Sequence, residues 1–154
     1  MQKYIAGLSL MMFLSCNPIG EELAEVPLLL DEITSIKDME LKKGDEVVFW
    51  SKVSTTKFSD YKVKYSIASG NKIIAFDSTN VMSGEHTINS EVSEDGGFIS
   101  RLFNGEGSSS REFERENTSF VVPKDGKYDF DFKISSEDDE SSFGEQFSFI
   151  LRKK

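Results

Sequence analysis

The chain of 154 residues holds one histidine, His86, and one cysteine, Cys16, which leaves little for metal or nucleophile–base chemistry. Zinc sites draw on several His or Cys ligands, so none is expected, and no other cofactor is implied. A Ser–His–Asp triad would need His86 as its base, but no Gly-x-Ser-x-Gly elbow presents a nucleophile. His86 follows Gly84 and Glu85 at a strand start and reads as a rim histidine. Gly96-Gly97 and Gly105-Glu106-Gly107 lack the Gly-Lys-Ser/Thr that completes a phosphate loop. Glu137, Asp138, Asp139 and Glu140 offer oxygens to calcium, but four consecutive carboxylates lack the alternating ligand spacing of an EF-hand. They read as a solvated loop. Paired carboxylates for glycoside hydrolysis are a spatial arrangement, and nothing in the sequence selects a pair. Trp50, with Phe98 and Phe103, would make an aromatic platform for sugar rings, or would serve the core instead. Asn117-Thr118-Ser119 matches a glycosylation sequon and reads as a chance match.

The elements that must position these residues follow a period of two. Tyr61, Val63, Tyr65 and Ile67 alternate with Lys62, Lys64, Ser66 and Ala68. Tyr128, Phe130, Phe132 and Ile134 alternate with Asp129, Asp131, Lys133 and Ser135. Such alternation marks strands with one buried face. Val47, Phe49 and Val53 share one face of another strand, with Trp50 on the other, and Phe147, Phe149 and Leu151 mark the last. Shorter strands are expected over 36–41, 72–77, 85–92, 97–103 and 113–122. Turn residues that tolerate positive φ separate them: Lys43-Gly44-Asp45, Ser69-Gly70-Asn71, Asp95-Gly96-Gly97 and Lys124-Asp125-Gly126. This spacing, without a long helical pattern, predicts an all-β fold, a single antiparallel β-sandwich over residues 35–154. Clean alternation argues against a parallel sheet, whose strands are buried on both faces.

The start of the chain reads differently. Lys3 precedes an apolar run over 5–14, too short to span a bilayer and suited to a signal peptide. Phe13-Leu14-Ser15-Cys16 resembles a bacterial lipobox, with Phe13 where the pattern usually has Leu. The resemblance implies cleavage after a signal peptide of residues 1–15 and lipidation of Cys16. Several acyl chains would then give a stable anchor. Residues 16–34, with Pro18, Gly20, Pro27 and three glutamates, read as a tether. Within it, Val26 to Leu30 is too apolar for a free linker and suits a short edge strand or a helical turn packed on the domain. Asn17, in place of aspartate, favours the outer membrane.

The formal net charge is −9. Losing Lys3 leaves 17 basic against 27 acidic side chains, which disfavours nucleic acid. It also predicts that the surface avoids anionic headgroups, so that the tether alone holds the protein at the membrane.

The stretch from Met39 to Trp50 (MELKKGDEVVFW) resembles the opening of GOLD-like β-sandwich domains. Ser119 to Phe132 (SFVVPKDGKYDFDF) resembles their second half, with Phe147 to Leu151 as the closing strand. Pro123, Asp125-Gly126 and Tyr128 form a corner that jelly-roll sandwiches share. The resemblance implies a non-catalytic interaction module. The chain therefore reads as a cell-envelope lipoprotein, not an enzyme, whose sandwich binds or structures envelope proteins or glycans. A carbohydrate-binding module on Trp50 ranks second, and a small carboxylate-dependent hydrolase third.

Overall fold

The computed structural model describes residues 18–55, 60–94, 109–136 and 146–154. The period-two segments become nine strands: β1 (Glu21–Leu28), β2 (Ile33–Leu41), β3 (Glu46–Thr55), β4 (Tyr61–Ser69), β5 (Lys72–Asn80), β6 (Thr87–Glu94), β7 (Ser109–Val121), β8 (Gly126–Ser136) and β9 (Gln146–Lys153). They form a five-stranded sheet, β1-β9-β3-β7-β6, and a four-stranded sheet, β2-β8-β4-β5. Every strand pairing is antiparallel, and the two sheets pack as the expected sandwich.

The core sits where the alternation places it. Tyr128, Phe130, Phe132 and Ile134 of β8 and Tyr61, Val63, Tyr65 and Ile67 of β4 face Val47, Phe49 and Val53 of β3 and Phe149 and Leu151 of β9. Phe49 lies at the centre. Its ring meets Tyr65 at 5.1 Å, Phe132 at 5.8 Å, Phe130 at 6.0 Å and Phe149 at 6.2 Å, all edge to face. That geometry sets ring edges against negative ring faces and adds to the burial itself.

The turns use the expected chemistry. Gly44 and Gly70 take φ of 89° and 61°, in the left-handed region. At the Pro123 corner the chain reverses, and the buried Tyr128 ring sends its hydroxyl back to donate to the Lys124 carbonyl at 2.6 Å.

The domain starts earlier than the sequence suggested. Residues 21–28 are not a tether, and Val26 to Leu28 lie in an edge strand, one of the two arrangements expected of that segment. Residues 21–28 form β1, which pairs with β9 along its whole length and buries Leu28 in the core. β2 likewise starts at Ile33. The strands expected over 72–77, 85–92 and 113–122 run over 72–80, 87–94 and 109–121. Cys16, Phe98, Phe103 and the acidic run 137–140 lie outside the described residues, as does the strand expected over 97–103.

Candidate functional site

Among the described residues four strand edges bound the two sheets, and each carries some feature that hinders pairing with another chain. The β1 edge holds Pro27, which has no N–H to offer, among Glu21, Glu22 and Glu25. The β2 edge is broken by a bulge between Ile36 and Met39, where Asp38 takes φ of 56°. The β6 edge is broken between Ile88 and Glu91, where Asn89 takes φ of 51°. β5 has a bulge at Ile74 and then runs in register with β4 over residues 75–80. It contains no proline, and Ile73 and Phe76 project from it into solvent, 63% and 71% exposed.

Phe76 belongs to the outer face of the four-stranded sheet. Pairing places Ser35, Asp131, Ser66 and Phe76 in one cross-strand row, and Ile33, Lys133, Lys64 and Ser78 in the next. Ile33 is 70% exposed. Between it and Phe76 lies an open depression of about 190 Å³, lined also by Lys64, Ser66, Asp131 and Lys133. Apolar positions stand at both ends, with lysine stems between.

Asp131 is held rigidly in that face. Its Oδ1 accepts from Ser35 Oγ at 2.5 Å and from Lys37 Nζ at 2.9 Å. The Ser35 hydrogen bond, then Lys37, hold its carboxyl below the usual carboxylate range against the opposing effect of partial burial. The same hydrogen bond from Lys37 raises the lysine pKa. Lys37 also reaches Asp129 at 3.7 Å, so it bridges both carboxylates of β8. By contrast, the Lys64 ammonium has no carboxylate within ion-pair distance among the described residues.

Trp50 does not serve as an exposed sugar platform, and its expected partners Phe98 and Phe103 lie outside the described residues. Trp50 is 2% exposed. It lies on the outer face of the five-stranded sheet in a second apolar cluster with Val48 and Ile150, flanked by Ile19 and Ile88. The Arg152 guanidinium covers its ring, 5.0 Å from the centroid. Arg152 in turn donates from Nη2 to Glu114 Oε2 at 2.8 Å, both side chains being 9% exposed. A buried ring closed over by an ion pair cannot stack on a sugar. The correction follows from β3 lying at the centre of its sheet, between β9 and β7, where both faces are covered.

His86 is a rim residue, as its position suggested: its side chain is 68% exposed, and Nδ1 lies 3.4 Å from a Glu116 carboxylate oxygen. Asn117 is occupied by structure. Its side-chain amide donates to the carbonyls of Ser83 at 2.6 Å and Asn80 at 3.2 Å, pinning the β5–β6 connection onto β7. Gly84 makes that approach possible, since a Cβ there would sit 1.9 Å from the Glu116 carbonyl oxygen. Among the described residues no three His, Cys, Asp or Glu side chains group as metal ligands. Nor is any helix among them long and apolar enough to cross a membrane.

No protein-family profile matches the chain, and no curated protein matches it.

Proposed function

We propose that this protein is a lipid-anchored component of a bacterial cell envelope whose GOLD-like sandwich is a non-catalytic interaction module, binding through β5 and the adjoining face of the four-stranded sheet. The observation that carries this reading is the β5 edge, which has no proline and bears the exposed apolar side chains Ile73 and Phe76. A strand edge with open backbone groups is completed by an extended segment of another chain, which takes affinity from main-chain hydrogen bonds and specificity from alternate side chains. The occupant this surface fits is an extended protein segment that seats an apolar side chain between Ile33 and Phe76. A carboxylate on it would reach Lys64, the uncompensated cation of the depression. Lipidated Cys16 would hold the module at the membrane, on the outer-membrane side that Asn17 favours.

The test is affinity capture from detergent-solubilised envelopes with the wild type and with Ile73→Lys/Phe76→Ser. Loss of a specific protein from the variant alone supports the reading, provided Trp50 emission shows the variant folded. An identical set of captured proteins contradicts it. Palmitate-analogue labelling of the wild type and Cys16→Ala tests the anchor separately, and equal labelling of the two rejects it.

A further inference from the structure

The backbone of β5 sets which residues can pair on its free side. Gly70 and Asn71 make the tight turn between Ser69 and Lys72, which are the first pair of the β4–β5 ladder. A two-residue hairpin loop aims the backbone groups of its flanking pair at each other, and the direction alternates from there. Ile74 is the extra residue of the bulge, sharing with Ala75 the place opposite Ile67. Ile73 and Phe76, on either side of it, therefore turn their N–H and C=O groups away from β4. The Ser78 N–H fits the same phase and donates to Asp77 Oδ1 at 2.8 Å. Side chains follow suit. Ile73 and Phe76 stand on the outer face, opposite Ala68 and Ser66, whereas Ile74 and Ala75 pack toward the core.

A regular strand laid along this edge would meet the bulge out of step, because the outward groups of Ile73 and Phe76 are not spaced as alternate residues are. A second β5, related by a two-fold axis, carries the same irregularity and matches it. With the axis between Ile74 and Ala75, antiparallel pairing sets Ile73 against Phe76 of the second copy. It also sets Ile74 against Ala75 and Lys72 against Asp77 of that copy. On the outer face the exposed Ile73 and Phe76 side chains of both copies then cover one another. On the other face the exposed Lys72 meets the exposed Asp77. Neither has an oppositely charged partner of its own among the described residues. No like charges stand opposite each other in this register. A register centred on Asp77 would instead oppose the two Asp77 carboxylates, which is unfavourable.

We propose that two copies of this protein join edge to edge through residues 72–77 of β5, so that their four-stranded sheets become one continuous antiparallel sheet. The inference rests on the reading of β5 as the binding edge and names the chain that completes it. The cross-strand row Ser35, Asp131, Ser66, Phe76 then continues through Ile73, Ala68 and Asp129 of the second copy. The depression between Ile33 and Phe76 lies over β4 and β8, away from the axis, and stays open beside the dimer. The paired segment is short, so the dimer is weak in solution and depends on concentration.

Sedimentation equilibrium tests this on the chain from Cys16 onward, which keeps all nine strands, with its single thiol blocked. A monomer–dimer equilibrium is expected for the wild type. Lys72→Glu and Asp77→Lys each turn the attractive pairs into repulsive ones, and each is expected to weaken the dimer on the order of tenfold. In an equimolar mixture of the two variants every charge at positions 72 and 77 meets an opposite one, and the affinity is expected to return. The doubly substituted chain is expected to recover it as well. Unchanged Trp50 emission shows that each variant is folded. A wild type that stays monomeric up to about 1 mM, or a mixture no tighter than the single variants, overturns the proposal. The binding-edge reading fails separately. A monomeric wild type that still captures a different envelope protein through Ile73 and Phe76 overturns the second copy alone and leaves β5 as a binding edge.

Discussion

Replacing Glu114 by Ala tests whether the outer face of the five-stranded sheet is closed over Trp50. The carboxylate accepts from Arg152 Nη2 at 2.8 Å and from the Asn89 side-chain amide at 3.0 Å. Both members of the ion pair are nine-tenths buried. Removing one partner of such a pair costs about 3–5 kcal/mol, because the other charge stays out of water. Here the lower end applies, since Glu22 lies 3.8 Å from Arg152 and is half exposed, giving partial compensation. A loss of about 3 kcal/mol corresponds to a Tm lower by about 6–12 °C for a chain of this size. Trp50 is the only tryptophan, so its emission reports this face directly during urea or thermal unfolding. The native emission is expected to be blue-shifted and resistant to iodide, and to become quenchable in Glu114→Ala. Glu114→Leu/Arg152→Met, which removes both charges, is expected to recover most of the stability. A cost below about 1 kcal/mol for Glu114→Ala, with easy quenching in the wild type, would mean a solvated pair and an accessible indole. The burial reasoning would then be wrong, and a sugar platform on Trp50 would return.

Three further outcomes follow from the packing and the charges. Phe49→Ala opens a hole among four rings and is expected to cost about 3–5 kcal/mol in urea unfolding. Gly84→Ala forces a Cβ into the Glu116 carbonyl at φ of 151°, so a lower Tm and looser protection of the β5–β6 connection from proteolysis are expected. Asp131, with its lowered pKa, contributes stability that is present above the ordinary carboxylate value and is lost as pH falls through its folded value. Because the carboxylate is about one-third exposed, Asp131→Asn is expected to remove only about 0.2–1 kcal/mol at neutral pH and to flatten the acid limb of a stability–pH curve.

What the sequence displayed depended on how each strand is buried. β4 and β8 cover the core with one face and meet water with the other, so their residues alternate cleanly and both strands were legible. β3 is covered on both faces, and its run Val47-Val48-Phe49-Trp50 loses the period. The fate of Trp50 then rests on Ile19, Ile150 and Arg152, which are distant in sequence. β1 was obscured for the opposite reason. As a peripheral strand it fully buries only Leu28, a bulge between Glu22 and Ala24 breaks its period, and Pro18, Gly20 and Pro27 read as linker. The exposed β5 edge was hidden because it is a product of topology. Ile73 and Phe76 look like ordinary strand residues until β5 proves to have a single neighbour.

Site-specific photo-crosslinking in intact cells tests the proposed interaction module most directly. A photoreactive residue in place of Phe76 on β5 is expected to give one discrete protein adduct in the envelope fraction. That adduct should disappear when Ile73→Lys is added. The same probe in place of Glu25, on the guarded β1 edge, is expected to give none. No adduct from position 76, or the same adduct from both positions, would contradict the assignment of β5 and its sheet face as the binding surface.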